Sequence, residues 1–154
     1  GIVNGKPDGT FAPDSFITRA EFMVLLVNSL KLEKKAENTT VFSDINNHWA
    51  KDIILIAAEN KFISGYNDNT IRPDRPITLA EVSSVISRAF TFKTTKNGMY
   101  SKLKTDRWYS DSVKKMFDSK VLKVDDKIYD DFDEESFITR DNCAIMISRA
   151  LSTF

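Results

Sequence analysis

One six-residue stretch, Phe16-Ile-Thr-Arg-Ala-Glu21, returns as Pro76-Ile-Thr-Leu-Ala-Glu81 and, altered, as Phe137-Ile-Thr-Arg-Asp-Asn142. Its threonines, Thr18, Thr78 and Thr139, stand 60 and then 61 residues apart. A chain that repeats at a fixed spacing folds as copies of one unit, and the copies must cover each other's apolar faces. Each copy reads as the start of a helix. Threonine followed three residues later by glutamate forms a capping box: the hydroxyl accepts from the N3 amide and the carboxylate reaches back to the cap amide. Such a hydroxyl contributes about 1 kcal/mol, so structure alone gives a reason for threonine at these positions.

Behind each threonine the apolar residues fall at helical spacing. They are Phe22, Leu25 and Leu26, then Val82, Val85, Ile86 and Ala89, then Cys143, Met146, Ile147 and Ala150. The predicted helices run from Thr18 to about Lys31, from Thr78, and from Thr139 to about Ser152. Between them lie two more amphipathic segments, one through Trp49, Ile53, Ile56 and Ala57 to about Lys61, the other through Trp108, Val113, Met116 and Phe117 to about Lys120. Asn47 is the expected N-cap of the former. Ile2-Val-Asn-Gly5 matches Phe62-Ile-Ser-Gly65, with each glycine 13 residues ahead of its threonine. The third unit departs from the pattern: Val124 stands in the glycine position, two extra residues precede Thr139, and an acidic stretch from Asp125 to Glu135 replaces the turn. The units span residues 1–32 (the second half of a first repeat), 42–92, and 100–154.

The 154 residues carry 22 basic and 22 acidic side chains, which gives no electrostatic reason to expect nucleic acid or an anionic membrane as partner. No apolar run approaches the roughly 18 residues of a membrane span. Cys143 is the only cysteine and lies on an inward helix face, so a small buried thiol is expected and no metal cluster of cysteines can form. His48 has no second histidine with which to build a metal site and is placed near a helix start. The acidic stretch lacks the glycine and glutamate of a calcium loop and reads as solvated. No metal or other cofactor is expected.

The order Phe-x-Asp, His-Trp-Ala, an apolar helix, Ile-x-Gly, Pro-Asp-Gly-Thr-Phe-x-Pro-Asp and Ile-Thr-Arg-Ala-Glu resembles the S-layer homology repeat, present here as about two and a half units. That resemblance implies a mainly α fold, with tandem helix-loop-helix repeats packed as a pseudo-threefold, three-pronged spindle. It implies an extracellular module that is not an enzyme. Such a module anchors a larger protein to a Gram-positive-type cell wall by holding secondary cell-wall polysaccharide, often pyruvylated, in grooves between repeats. No phosphate loop, nucleophile elbow or metal motif supports catalysis. A structural or protein-interaction module that has lost glycan binding is the alternative.

By the same resemblance Arg19 and Arg140 are the ligand arginines, and a guanidinium does fit a carboxylate two-pronged in a way lysine cannot. Arg19→Ala is then expected to weaken binding with little effect on stability. Leu79 replaces arginine in the second repeat, so a site centred there should be absent or altered. Trp49 and Trp108 can offer ring faces to sugar, although tryptophan in the second turn of an amphipathic helix usually packs inward, and core is the favoured reading. Gly5 and Gly65 either admit a ligand to the backbone or form a turn only glycine fits. Arg88 and Arg149 share a repeat position and either pair with surface acids, the favoured reading, or add to a groove. The first capped helix lacks a preceding tryptophan-bearing helix. Its apolar face therefore needs cover from elsewhere in the chain, a missing segment or a second copy, and the expectation is either an exposed apolar patch or element exchange between chains in a homo-oligomer.

Overall fold

The computed structural model describes residues 12–34, 41–93 and 98–153. Among these residues the α-helices are α1 (Arg19–Ser29), α2 (Lys51–Glu59), α3 (Leu79–Ala89), α4 (Ser110–Asp118) and α5 (Arg140–Ser152), with a 3-10 turn at Lys127–Tyr129. Among the described residues β pairing is limited to isolated bridges, so the fold is mainly helical, as the repeat pattern implied. Capping boxes close at Thr18 with Glu21 and at Thr78 with Glu81. Thr139 keeps the hydroxyl half of the arrangement, accepting from the Asn142 amide.

The extended dipeptides ahead of the caps tie the units together. Ile77 N donates to Ile17 O at 3.0 Å, Ile138 N to Ile77 O at 3.1 Å, and Ile17 N to Ile138 O at 3.2 Å, so three bonds close a ring. The isoleucine side chains inside it are fully buried. Phe16 and Phe137 meet edge to face outside it, with centroids 5.7 Å apart.

Helix starts follow the same circular order. The first two amides of α1, Arg19 and Ala20, donate to Arg75 O and Pro73 O; those of α3, Leu79 and Ala80, to Ser136 O and Glu134 O; those of α5, Arg140 and Asp141, to Ser15 O and Pro13 O. A helix leaves its first-turn amides without internal acceptors. Here each unit's first two are met by the loop of the next unit, and the third by its own threonine hydroxyl.

Helix pairs form between repeats: α1 packs on α2 and α3 on α4, while α5 lies against α1 and α3. Of the sources of cover open to α1, the structure shows the one from elsewhere in the chain. The apolar face of α1 is covered within the chain by the first helix of the following unit, and Phe22, Leu25 and Leu26 are buried. Asn47 is not a cap: α2 begins after Ala50, and the turn ahead of it is held by His48, whose Nδ1 accepts from Ala50 N at 3.1 Å. Three helix C-termini end on a lysine in the left-handed region: Lys31, Lys61 and Lys120 have φ of 52°, 60° and 62°.

Candidate functional site

Arg19, first residue of α1, turns toward the second unit. Its Nε donates to Ile71 O at 2.8 Å and its Nη1 lies 3.1 Å from Glu81 Oε1. Only 8% of the residue is exposed. Glu81 also accepts from Tyr66 Oη at 3.0 Å, from Arg75 Nη1 at 3.2 Å and from its cap amide, Thr78 N. Burial pushes its carboxyl up, but the Thr78 amide, Arg19, Tyr66 and Arg75 together outweigh burial and hold it below its ordinary value of 4.5. Arg140 repeats the arrangement one unit round, with Nη1 3.1 Å from Glu21 Oε1 and 5% of the residue exposed. Thus each capping-box glutamate that is present also receives the arginine of the unit before it in the ring. At the remaining seam both partners are replaced, arginine by Leu79 and glutamate by Asn142. The two arginines are interior ties between units, and Arg19→Ala removes such a tie as well as any ligand contact. The expectation of near-unchanged stability in that variant is corrected accordingly, since breaking a buried pair leaves its other member without compensation.

The tryptophans are the second departure. Trp49 is 67% exposed and Trp108 is 68% exposed, whereas their neighbours Ala50 and Tyr109 are buried at 1% each. The inward reading placed tryptophan inside the helix. In fact both precede it, α2 starting at Lys51 and α4 at Ser110, and the turn points them outward. Each keeps an aromatic neighbour: Trp49 lies 5.4 Å from the His48 ring and Trp108 5.3 Å from Tyr109.

Gly65 has φ +69°, and a Cβ there would stand 2.6 Å from Phe42 Cε1 and 2.9 Å from Thr70 O. The turn therefore requires glycine on structural grounds. Gly5 lies outside the described residues.

Three of the expected residues, each from a different unit, border one groove of about 220 Å³: Arg19 from the first, Gly65 from the second and Trp108 from the third. Ser64, Tyr66, Glu81, Ser84 and Arg88 complete its polar wall. The Tyr66 ring has the Arg72 guanidinium 4.0 Å and the Arg19 guanidinium 5.1 Å from its centroid. Moved one unit back round the ring, the equivalent positions are Arg140 and Trp49, the glycine position there lying outside the described residues. Moved one unit forward, the matching cavity, about 340 Å³ beside α5, is bordered by Asp126, Ile145 and Arg149. That seam has Leu79, from the second unit, and Val124, from the third, at the arginine and glycine positions.

The sequence did not single out Tyr66 or the second role of Glu81. The signal for Glu81 was the correlated loss of arginine at 79 and glutamate at 142. Arg149 does pair with an acid, Asp126, as expected, whereas Arg88 donates to a backbone carbonyl, Phe62 O, at 3.0 Å. The acids of the stretch are exposed except for Asp126, which is partly covered and paired with Arg149, and Glu134, 1% exposed, which accepts from Lys104 N at 2.9 Å. Cys143 is fully buried and burial pushes its thiol up. Among the described residues no group of acids, histidine or cysteine is arranged to hold a metal ion, and no helix is long and apolar enough to cross a membrane.

The S-layer homology domain family matches residues 1–23 and 41–83. The chain is 39% identical over 92 residues to a cellulosome-anchoring protein of Acetivibrio thermocellus, covering 57% of this chain and 21% of that protein. It is 31% identical over 104 residues to a surface layer protein of Brevibacillus choshinensis, covering 65% and 9% respectively. An amylopullulanase of Thermoanaerobacterium thermosulfurigenes is 29% identical over 92 residues, 59% of this chain and 5% of that protein. The chain thus spans about a fifth or less of these three relatives.

Proposed function

From the S-layer homology repeats that this chain carries over residues 1–23 and 41–83, we propose that it is a non-catalytic module anchoring a larger extracellular protein to the cell wall, and that it grips secondary cell-wall polysaccharide in the groove beside α3. The observation that carries this reading is the convergence of Arg19, Gly65 and Trp108, from three successive units, on one groove whose outer wall is an exposed indole. An exposed tryptophan face packs against the apolar face of a sugar ring, and the surrounding hydroxyls and guanidinium groups offer hydrogen bonds to its polar edge. A match that covers 5% of an amylopullulanase fits a small module appended to different cargoes. Modest contacts suffice, because wall polymer and surface layer both repeat and multivalency raises retention. The ring of isoleucine bonds is in this reading the axis of a three-pronged spindle, with the units bounded at 1–32, 42–92 and 100–154.

A pyruvyl group is the anionic substituent proposed for the polymer. The second reading, a scaffold or protein-interaction module without glycan binding, is favoured by one observation: the Arg19 and Arg140 guanidinium groups are already engaged by Glu81 and Glu21. Sedimentation with purified wall polysaccharide, with and without its pyruvyl groups, separates the two. Trp108→Ala is expected to weaken co-sedimentation at least about tenfold while leaving the thermal midpoint within a few degrees, since the indole is exposed. A folded wild-type chain that sediments with neither polymer selects the scaffold reading.

A further inference from the structure

Arg88 on α3 and Arg149 on α5 stand at one repeat position and are steered in the same way. Arg88 Nη1 donates to Phe62 O at 3.0 Å and Arg149 Nη1 to Val121 O at 3.2 Å, and these carbonyls are themselves repeat equivalents. What meets the rest of the fork differs. On α5 the Asp126 carboxylate fills it two-pronged, with Nη1 to Oδ2 at 2.6 Å and Nη2 to Oδ1 at 2.8 Å. On α3, among the described residues, no acid is bonded to Arg88. The residue five places after its anchoring carbonyl is Asn67, where the third unit has Asp126. Arg88 is exposed and borders the groove with Ser84 and Trp108.

We propose that Arg88 is the carboxylate-binding residue of the groove beside α3, and that Asp126 is a built-in occupant of the matching position beside α5. The proposal rests on the glycan-binding reading and moves the anionic contact from Arg19 to Arg88. A carboxylate arriving at Arg19 would find Nε and Nη1 engaged and the negative Glu81 3.1 Å away. One arriving at Arg88 finds a fork held by a backbone carbonyl in the way that lets Arg149 accept a carboxylate. The bidentate, charge-assisted geometry is shorter and stronger than a neutral hydrogen bond, so the acid form of a ligand is selected over its ester. Asp126 also fixes stoichiometry: the groove beside α5 carries its own carboxylate and does not take a second.

The test is a nitrogen-15 NMR titration with three probes: a methyl hexoside bearing a pyruvate ketal, the methyl ester of that ketal, and the hexoside without it. The acid is expected to shift Arg88, Ser84 and the Trp108 indole, and the ester to bind at least tenfold more weakly. Arg88→Gln loses the preference for acid over ester while the Trp108 indole still responds, and Arg88→Lys retains part of it, a second variant should Arg88→Gln fold poorly. Asp126→Asn extends the acid-induced shifts to the Arg149 guanidinium. A folded Arg88→Gln that keeps wild-type preference for the acid overturns this inference and leaves the glycan reading standing, as does a wild-type Arg149 that shifts as strongly as Arg88. A wild-type chain silent to all three probes removes both.

Discussion

Glu81 shows how one side chain can serve local and long-range structure together. Its Oε2 accepts from the Thr78 amide to complete the capping box, while its Oε1 receives Tyr66, Arg75 and, from another unit, Arg19. Because these partners hold the folded-state pKa below its ordinary 4.5, the unfolded chain binds the proton more readily. The resulting stabilisation is full above about pH 5 and is lost as pH falls through the depressed folded value. Asp118 and Asp126 have pKa values lowered from their ordinary 3.8 and add to the same slope, each against the opposing effect of burial. Urea midpoints measured between pH 7 and pH 3 should therefore fall for the wild type, and the Glu81→Gln variant should start lower and fall less. Parallel curves would show that Glu81 contributes nothing to acid sensitivity. The repeat pattern made the cap readable in advance, because a capping box is written in four consecutive residues. Its pairing with Arg19 was not, because that contact joins positions 62 residues apart and depends on how the units close on each other.

Helix ends carry a different lesson. Lys61 closes α2 with its N–H to Ala58 O and the following Phe62 N–H to Ala57 O, the bond pattern that needs a left-handed residue. Lys31 shows the same pattern after α1, with Leu32 N donating to Val27 O. A side chain in that conformation costs about 1–2 kcal/mol, and glycine there relieves most of it while adding some unfolded-state freedom. Lys61→Gly and Lys120→Gly should each raise stability by about 0.5–1 kcal/mol in chemical denaturation, and a loss would show that the lysine stems pack in a way that matters more. Helix existence was accessible from spacing, since Phe22, Val82 and Cys143 recur at the same distance behind each threonine. The starts of α2 and α4 were not. No threonine marks them, Asn47 offered a false cap, and the shift of three residues turned both tryptophans from expected core to open surface.

At the scale of the molecule, stability depends on closure. Ile17, Ile77 and Ile138 bring three buried side chains to the backbone ring, and the loop just ahead of each isoleucine supplies the acceptors for another unit's helix start. Ile77→Ala should cost about 2–5 kcal/mol. Because the ring is shared, α1 and α5 should lose amide-exchange protection together with α3, where a merely local defect would spare them. The repeats announced three similar units, but not the order in which they join. Nothing in the linear order says that the first unit takes its acceptors from the second and the third from the first. That circular hand-over also bears on mechanical load. A module that tethers cargo works under tension, and a linear stack of units would peel from whichever end is pulled. Here, detaching any single unit strips the opening amides of another, so a pulled chain should resist until it ruptures in one event instead of yielding in steps.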